Sequence, residues 1–228
     1  MSVVEAPRIL VGIVGSHAYG LATESSDTDR MAIAVLPTRR FLGVHPPTAD
    51  ALTYHRAGEG DDITVHEVGK FVSLCLKANP TVTELLWLDE YETTTSLGMA
   101  LVENRSVLLG SVAVRGAYLG YLTAQIKGAA SALAKPKAAK YARHAWRLAH
   151  QAQSLWLTGR LRVRLDPEEA IQAARFGAEA TPDSLGRLVD VVRDTMELPT
   201  PLPAQASFDW ADAFLADQVR PAFQTEKV

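Results

Sequence analysis

Short apolar runs that end at turn-forming residues dominate the first third of the chain. The runs RILVGIVGS (8–16) and DRMAIAVLP (29–37) stop at glycine and proline, and DDITVHEV (61–68) alternates apolar with polar residues. These features predict three strands. Residues 38–61 mix glycine, proline, histidine and acidic residues, which predicts an irregular connection between the second and third strands.

Helical spacing replaces the strand pattern from about residue 67 onward. The segment EVGKFVSLCLKA (67–78) places apolar side chains three and four residues apart on one stripe. A further helix is predicted to begin near Pro80, and two long helices are predicted at 111–134 and 137–158. The segments LDPEEAIQAARFG and TPDSLGRLVDVVRDTM each open with a capping residue followed by proline, and the first is expected to stop at Gly177.

This change of pattern predicts an α+β fold in two parts. Residues 1–95 are expected to form a small mixed-sheet core with helices, and residues 96–228 an all-helical C-terminal lobe. The 228 residues are 47% hydrophobic and 21% charged, which is ordinary for a globular protein. No apolar run reaches the roughly 20 residues that cross a bilayer, and the N-terminus does not resemble a signal peptide. A cytoplasmic location without membrane contact is therefore expected.

Net charge and cysteine content exclude some functional classes. The formal net charge is −3, so no overall basic field indicates a nucleic-acid-binding protein, although a local basic patch stays open. The single cysteine, Cys75, excludes an intramolecular disulfide framework and a cysteine-based zinc site. Its apolar neighbours predict a buried, unreactive side chain.

The stretch VGSHAYGLATESSDTD (14–29) carries the main chemical signal. Gly15 and Ser16 end the first predicted strand and lead into a short predicted helix, and Asp27 and Asp29 lie at the start of the second strand. Alternate residues of an extended chain point the same way, so both carboxylates can face one hard cation such as Mg²⁺. Each motif alone is more often a plain turn or a solvated loop. Their combination within thirty residues indicates phosphate chemistry.

This arrangement resembles the signature of the DNA polymerase beta-like nucleotidyltransferase superfamily. The segment GSHAYGLATESSDTD is similar to the corresponding segment of predicted nucleotidyltransferases associated with RNA repair, for which GSRAYGLATPDSDxD is expected. The similarity continues in DITVHEVGKFVSLCLKANPTVTELLW and, more faintly, in KAAKYARHAWRLAHQAQSLWLTGRLRVRL. The chain departs from the pattern at His17, which stands where the family has arginine.

The resemblance implies an enzyme that transfers a nucleoside monophosphate from an NTP to a hydroxyl group and releases pyrophosphate. ATP is the expected NTP and an RNA end is the first candidate acceptor. Two Mg²⁺ ions, for which Mn²⁺ could substitute, would be held by Asp27, Asp29 and a third carboxylate. The preferred third carboxylate is Asp62, followed by Asp61 and then Glu67. Glu67 is predicted to begin the next helix, where an acidic residue near the N-terminus has a structural explanation.

Nucleotide contacts are expected from the glycine turn and from the helices. The predicted helix 137–158 has a ridge without acidic residues, formed by Lys137, Lys140, His144, Arg147 and Gln151. A triphosphate or a nucleic-acid backbone suits such a ridge, whereas an ordinary solvated face is the alternative. His17 would be a weaker, pH-dependent substitute for arginine. The expected nucleotide-contacting residues are Gly15, Ser16, His17, Lys70, Lys140, His144 and Arg147.

Several alternatives stay open at this level. The chain could be a protein-modifying, adenylylating transferase of toxin–antitoxin type, a non-catalytic nucleotide- or RNA-binding protein that retains the fold, or an interaction domain. Asn79 is expected to cap a helix, and Glu84 to brace a basic residue in the site. The arginines of TGRLRVRL (158–165) either contact a nucleic-acid acceptor or protect a strand edge, and the edge is favoured. The sequence leaves the oligomeric state open.

Overall fold

A mixed sheet lies at the centre of the structure, a computed structural model that describes residues 1–24, 26–58, 61–131 and 137–220. Five strands in these ranges pair in the order β3-β4-β2-β1-β5. The strands are β1 (Arg8–Val14), β2 (Thr28–Ala34), β3 (Thr53–Arg56), β4 (Asp61–Glu67) and β5 (Thr93–Thr94). The three strands predicted from the apolar runs correspond to β1, β2 and β4.

Strand direction brings three chain segments to one edge of the sheet. β1 runs antiparallel to β2, with Val14 opposite Asp29. β2 runs parallel to β4, with Asp29 opposite Asp62. The end of β1 and the starts of β2 and β4 therefore meet at the same edge, which is called the carboxylate edge below.

The connection predicted to be irregular contains regular structure. It holds the short helix α2 (Arg39–Leu42), a 3-10 turn at Asp50–Leu52 and the strand β3. β3 pairs antiparallel with the outer side of β4. Its sequence, TYHR, lacks the apolar alternation that identifies a strand, because two of its four side chains are exposed on a sheet edge.

Helices make up most of the remaining described chain. They are α1 (Gly15–Tyr19), α3 (Val68–Leu76), α4 (Pro80–Thr83), α5 (Ser96–Glu103), α6 (Ser111–Ser131), α7 (Lys137–Thr158), α8 (Pro167–Glu179), α9 (Pro182–Thr195) and α10 (Phe208–Ala213). Further 3-10 turns lie at Glu84–Trp87 and Arg105–Leu108, and a π-helical turn at Phe214–Val219 follows α10. None of the described helices is long and apolar enough to cross a bilayer.

Polar caps explain where several of these helices begin. Asn79 accepts hydrogen bonds from the backbone N–H groups of Thr81 and Val82, which confirms its predicted capping role. Asp166 and Glu169 form a capping box at the start of α8. Gly177, predicted to end this helix, lies inside it instead. A side chain there would overlap Arg143 of α7, so the glycine permits close packing of the two helices.

The sheet core includes helices from both predicted parts of the chain. Phe71 and Cys75 of α3 pack in one hydrophobic cluster with Ile33 of β2, Leu101 of α5 and Phe214. Burial raises the pKa of the Cys75 thiol, which fits a packing role. A domain boundary near residue 95 stays a prediction, but residues on both sides of it share this core.

The helical lobe packs around α7, which contacts α6, α8 and α9. Ala145, Leu148 and Ala152 of α7 are buried in the lobe's cluster, as the apolar stripe predicts. Tyr19 of α1 belongs to the same cluster. The lobe is therefore packed against the helix that follows the glycine turn.

An extended segment, residues 159–165, returns from α7 towards α1. Leu161, Val163 and Leu165 are buried, whereas the arginines between them are exposed. Within the described structure this segment belongs to no strand, so the favoured explanation of these arginines as guards of a strand edge was wrong. The alternation arises because the segment lies flat on the lobe core.

Candidate active site

The carboxylate edge opens into a polar cavity of about 260 Å³ between the sheet and α7. One wall is acidic and comes from the sheet, and the other is mostly basic and comes from the helix. The lining residues are Ser16, Leu21, Thr23, Ser26, Asp27, Asp29, Asp62, Lys140, Arg143 and His144. This cavity is called the acidic pocket below.

The acidic wall follows from strand geometry. Asp27 and Asp29 are two residues apart where the chain enters β2, and Asp62 lies opposite Asp29 on the neighbouring parallel strand. Residues paired in register point to the same face of a sheet, so the carboxylates approach one another from distant parts of the chain. The structure thus brings together the three aspartates selected from the sequence.

Electrostatics in the pocket favour a cation. Burial raises the pKa of Asp29, and the neighbouring carboxylates of Asp62 and Asp27 raise it further. Lys140 and His17 act in the opposite direction and lower it. A half-buried carboxyl group crowded by like charges gains stabilisation when a positive ion enters.

The donor set suits a divalent ion that is shared with a substrate. Among the described side chains, no group of three or more His, Cys, Asp or Glu residues is arranged to hold a metal ion unaided. One oxygen of Asp62 is occupied, because Oδ1 accepts a hydrogen bond from the Gly58 N–H at 3.0 Å. Mg²⁺ is usually held by one or two carboxylates together with phosphate oxygens and water, so the aspartates of the acidic pocket fit this ion.

The glycine turn touches the acidic wall directly. Gly15 has φ +69°, a left-handed conformation that side chains disfavour, and a Cβ atom at this position would overlap Oδ2 of Asp29. The next residue, Ser16, lines the pocket. Gly15 therefore acts by leaving room for the carboxylate.

Replacing Gly15 by Ala is expected to displace the Asp29 carboxylate and to abolish the metal-dependent nucleotide binding that the resemblance implies, measured by calorimetry. The strained φ should also lower the free energy of unfolding by about 1–2 kcal/mol. Gly20→Ala is the matched control, because Gly20 has φ +75° but its Cβ would meet only ordinary contacts. Equal loss of nucleotide binding in both variants would contradict the proposed role of Gly15.

The basic wall comes from one face of α7. Lys140 and His144 lie on it as predicted, and Arg143 joins them. Burial lowers the pKa of His144 to about 4, assisted by the charges of Arg147, Lys140 and Arg143. His144 is therefore neutral at pH 7 and offers hydrogen bonds without charge. Sequence reasoning missed Arg143, whose spacing of three residues from Lys140 was the available signal.

Arg147 is not part of this wall, which corrects its predicted place among the phosphate ligands. Its side chain is 3% exposed, and its guanidinium group lies 3.8 Å from the centre of the Tyr19 ring. It donates a hydrogen bond to Gln151 Oε1 at 2.7 Å and lies 3.5 Å from Glu84 Oε2. Arg147 lies two helical turns beyond Lys140 on α7, at a depth where its side chain is buried in the core and does not reach the pocket.

A buried polar network surrounds Arg147 and joins three elements. The Tyr19 hydroxyl donates to Glu84 Oε1 at 2.7 Å, and Glu84 pairs with Arg147. These residues come from α1, the 3-10 turn after α4, and α7. Glu84 pairs with a basic residue as predicted, but that residue, Arg147, lies outside the acidic pocket and is not in the site. Burial raises the pKa of Glu84 to about 7, although Arg147 and the hydrogen bond from Tyr19 lower it.

Lys70 lies away from the acidic pocket. It lies in the first turn of α3, which follows the far end of β4, and the strand from Asp62 to Glu67 spans about 16 Å. The structure therefore does not bring Lys70 to the carboxylate edge. Glu67 lies at the same far end, where it caps α3 and pairs with Arg220 at 2.9 Å. The side chain of Asp61 lies outside the described part of the structure.

His17 is adjacent to the acidic pocket but lines a different cavity. Its Nε2 atom is 3.3 Å from the carbonyl oxygen of Ser26, in the loop that leads to Asp27. The second cavity, of about 440 Å³, lies on the other side of α1 and includes Trp87, Tyr91 and Arg164. The predicted contact between His17 and a triphosphate stays a prediction.

Comparison with known proteins places the chain in a family. No curated protein matches it. A crystal structure of a nucleotidyltransferase-like protein from Exiguobacterium sibiricum 255-15 is similar over 86% of this chain and 70% of that chain, with 11% sequence identity and a TM-score of 0.29. The model of the RNA repair pathway DNA polymerase beta family matches residues 5–227. This match spans nearly the whole sequence, and the chain therefore belongs to the RNA repair pathway DNA polymerase beta family.

Proposed function

We propose that this protein is a nucleotidyltransferase that requires a divalent metal ion and transfers a nucleoside monophosphate from ATP to a hydroxyl group at an RNA end. The observation that carries the proposal is the register of β2 and β4, which sets Asp29 opposite Asp62 beside Asp27 and the glycine turn. Family membership supports the nucleotidyl-transfer chemistry. The family's description supports RNA as the acceptor.

The two walls of the acidic pocket would bind different parts of the metal–nucleotide complex. Asp27 and Asp29 would hold the metal ions, which are Mg²⁺ or, as a substitute, Mn²⁺. Lys140 and Arg143 would pair with phosphate oxygens from the opposite wall, and the neutral His144 would donate or accept a hydrogen bond. Ser16 offers a hydroxyl group at the glycine turn. This arrangement places charges of both signs around one triphosphate.

Asp62 has the position expected for the acceptor side of the reaction. It lies on β4, and β2 lies between β4 and β1, the strand that ends at the glycine turn. The carboxylate of Asp62 adjoins that of Asp29. When bound, the metal ions would supply charge neutralisation for the leaving pyrophosphate and a lower pKa for the attacking hydroxyl group. Asp62 would orient the hydroxyl group and accept its proton.

Labelled nucleotides test the proposal directly. The full chain is incubated with ATP labelled at the α- or the γ-phosphate, with Mg²⁺ or Mn²⁺, and with RNA whose 3′ end is either free or blocked by phosphate. We expect the α-label on RNA with a free 3′ hydroxyl group and the γ-label in pyrophosphate. Parallel reactions contain the other three NTPs, candidate protein acceptors and small alcohols.

The acceptor that becomes labelled separates the alternatives. Label found only on tyrosine or serine of a protein would replace this proposal with a protein-adenylylating transferase. Nucleotide binding without release of pyrophosphate under any condition would indicate a non-catalytic binding protein. Both results would overturn the proposed transfer to RNA.

A further inference from the structure

A basic groove lies outside the acidic pocket, along the extended segment that follows α7. It is a cavity of about 560 Å³ whose charged lining consists of four arginines and one aspartate. The arginines, which define the arginine groove, are Arg105, Arg160, Arg162 and Arg164. For a chain with a net charge of −3, this is a strong local excess of positive charge.

The fold aligns three of these arginines on one side. Leu161, Val163 and Leu165 are buried in the core, so the residues between them face outward. Alternate positions of an extended chain are about 6.6 Å apart, which is comparable with the spacing of successive phosphates in an extended single strand. The groove therefore presents a row of guanidinium groups and not an isolated cation.

Two arginines in the row form no ion pair with a described residue. Arg162 pairs with Glu169 and approaches Asp166 at 3.9 Å. By contrast, no ion pair within the described residues involves the side chain of Arg160 or Arg164. Both residues are exposed, so their positive charge is available to a ligand.

The opposite side of the groove adds an aromatic surface. The guanidinium group of Arg105 lies 4.4 Å from the centre of the Trp87 ring and donates to the Leu86 carbonyl oxygen at 3.3 Å. Arginine beside an aromatic ring is a common feature of surfaces that bind single-stranded nucleic acid. Asp89 is the acidic residue in the lining.

One end of the arginine groove lies against α1. The Leu165 N–H donates to the carbonyl oxygen of Tyr19 at 3.1 Å, and the Arg164 side chain passes beside Gly20. α1 rises about 6 Å from Ser16 to Gly20, so this end is a short helix away from the acidic pocket. A strand bound in the groove would end near the nucleotide site.

We propose that the arginine groove binds the phosphodiester backbone of the single-stranded RNA acceptor, with Arg160 and Arg164 contacting phosphates. This inference rests on the proposed function for the identity of the ligand. Binding through phosphates is independent of base sequence and weakens with salt. It would hold the strand while its end enters the acidic pocket.

Fluorescence anisotropy with labelled single-stranded RNA, without NTP, tests the groove in the full chain. We expect Arg160→Ala/Arg164→Ala to weaken RNA binding roughly tenfold at low salt and to reduce the slope of log affinity against log salt by about 1.4, or 0.7 per lost phosphate contact. The Lys variant of both positions should retain most of the binding. ATP affinity should be unchanged in both variants.

The control Arg39→Ala/Arg187→Ala removes the same charge from exposed positions outside the groove and should leave RNA binding intact. Equal loss in the control, or an unchanged salt slope in the groove variant, would overturn the groove assignment even if nucleotidyl transfer to RNA is observed. Conversely, groove-dependent RNA binding without transfer to any acceptor would refute the proposed function alone. Absence of RNA binding by the unmodified chain would overturn the inference.

Discussion

Asp29→Asn is expected to lower nucleotidyl transfer by roughly three orders of magnitude, equivalent to about 4 kcal/mol of lost transition-state stabilisation. Asp29 adjoins both other carboxylates of the acidic pocket. Under the proposed function its charge would therefore help to hold each metal ion. The amide keeps the size of the side chain but removes the charge. The measurement is release of pyrophosphate with ATP, Mg²⁺ and the acceptor that becomes labelled in the experiment proposed above.

The same substitution should maintain or raise stability in the absence of metal and nucleotide. The folded-state pKa of Asp29 is raised by burial and by Asp62 and Asp27, so the ionised form is less favourable in the folded than in the unfolded chain. Its unfavourable contribution is present at neutral pH and disappears as the pH falls below the unfolded-state pKa. Asn should therefore move the urea midpoint upward at pH 7, with little difference from wild type at pH 3.

Asp212→Asn is the control for this pair of measurements, because Asp212 is exposed on α10, away from the acidic pocket. It should change neither activity nor stability. Full activity of Asp29→Asn would contradict the assignment of the metal site. Loss of activity together with a large loss of stability would indicate that Asp29 serves the fold instead.

Arg147→Met is expected to lower the free energy of unfolding by about 3–5 kcal/mol at pH 8, the cost of leaving a buried charge without its partner. Arg147 and Glu84 are 3% and 2% exposed, so water cannot replace the lost interaction. The cation–π contact with Tyr19 and the hydrogen bond to Gln151 disappear as well. Urea unfolding of the full chain gives this quantity, and Arg187→Met on the exposed face of α9 is the control.

The loss should be smaller at pH 5 than at pH 8. The folded-state pKa of Glu84 is about 7, so at pH 5 the buried carboxyl group is protonated with or without Arg147. At pH 8 the wild-type pair is ionised, and removal of Arg147 forces Glu84 to bind a proton or to remain as an unpaired charge. The double variant Arg147→Met/Glu84→Gln should recover part of the stability at pH 8. A loss independent of pH would show that packing dominates.

The site was predictable where neighbouring residues determine the geometry. The spacing of Asp27 and Asp29 and the glycine turn depend on local alternation and backbone conformation, which the sequence displays. The choice of Asp62 depended on the family resemblance as well, because neither strand's sequence reveals that β2 and β4 pair in parallel. The capping role of Asn79 was predictable for the same local reason.

The errors concern features that depend on packing between distant elements. Helical spacing grouped Arg147 with Lys140, but the depth of α7 in the core decides which turn of the helix reaches the pocket. Lys70 follows β4 at the wrong end of the strand for nucleotide contact, and strand direction cannot be inferred from the helix that carries it. Glycine commonly ends helices, so Gly177 is predicted to end one. Its actual role, close packing against Arg143, depends on a contact that only the folded structure shows.

The opposed walls of the acidic pocket have a mechanical consequence. Negative charge is contributed by the sheet and positive charge by a helix of the lobe, so a metal–triphosphate complex would bridge two layers of the molecule. Any local opening that separated α7 from the strands would have to release this ligand first, and excess ligand would oppose the opening by mass action. Bound substrate would thus hold α7 against the sheet. Amide hydrogen exchange in α7 should therefore slow when metal and ATP are added together.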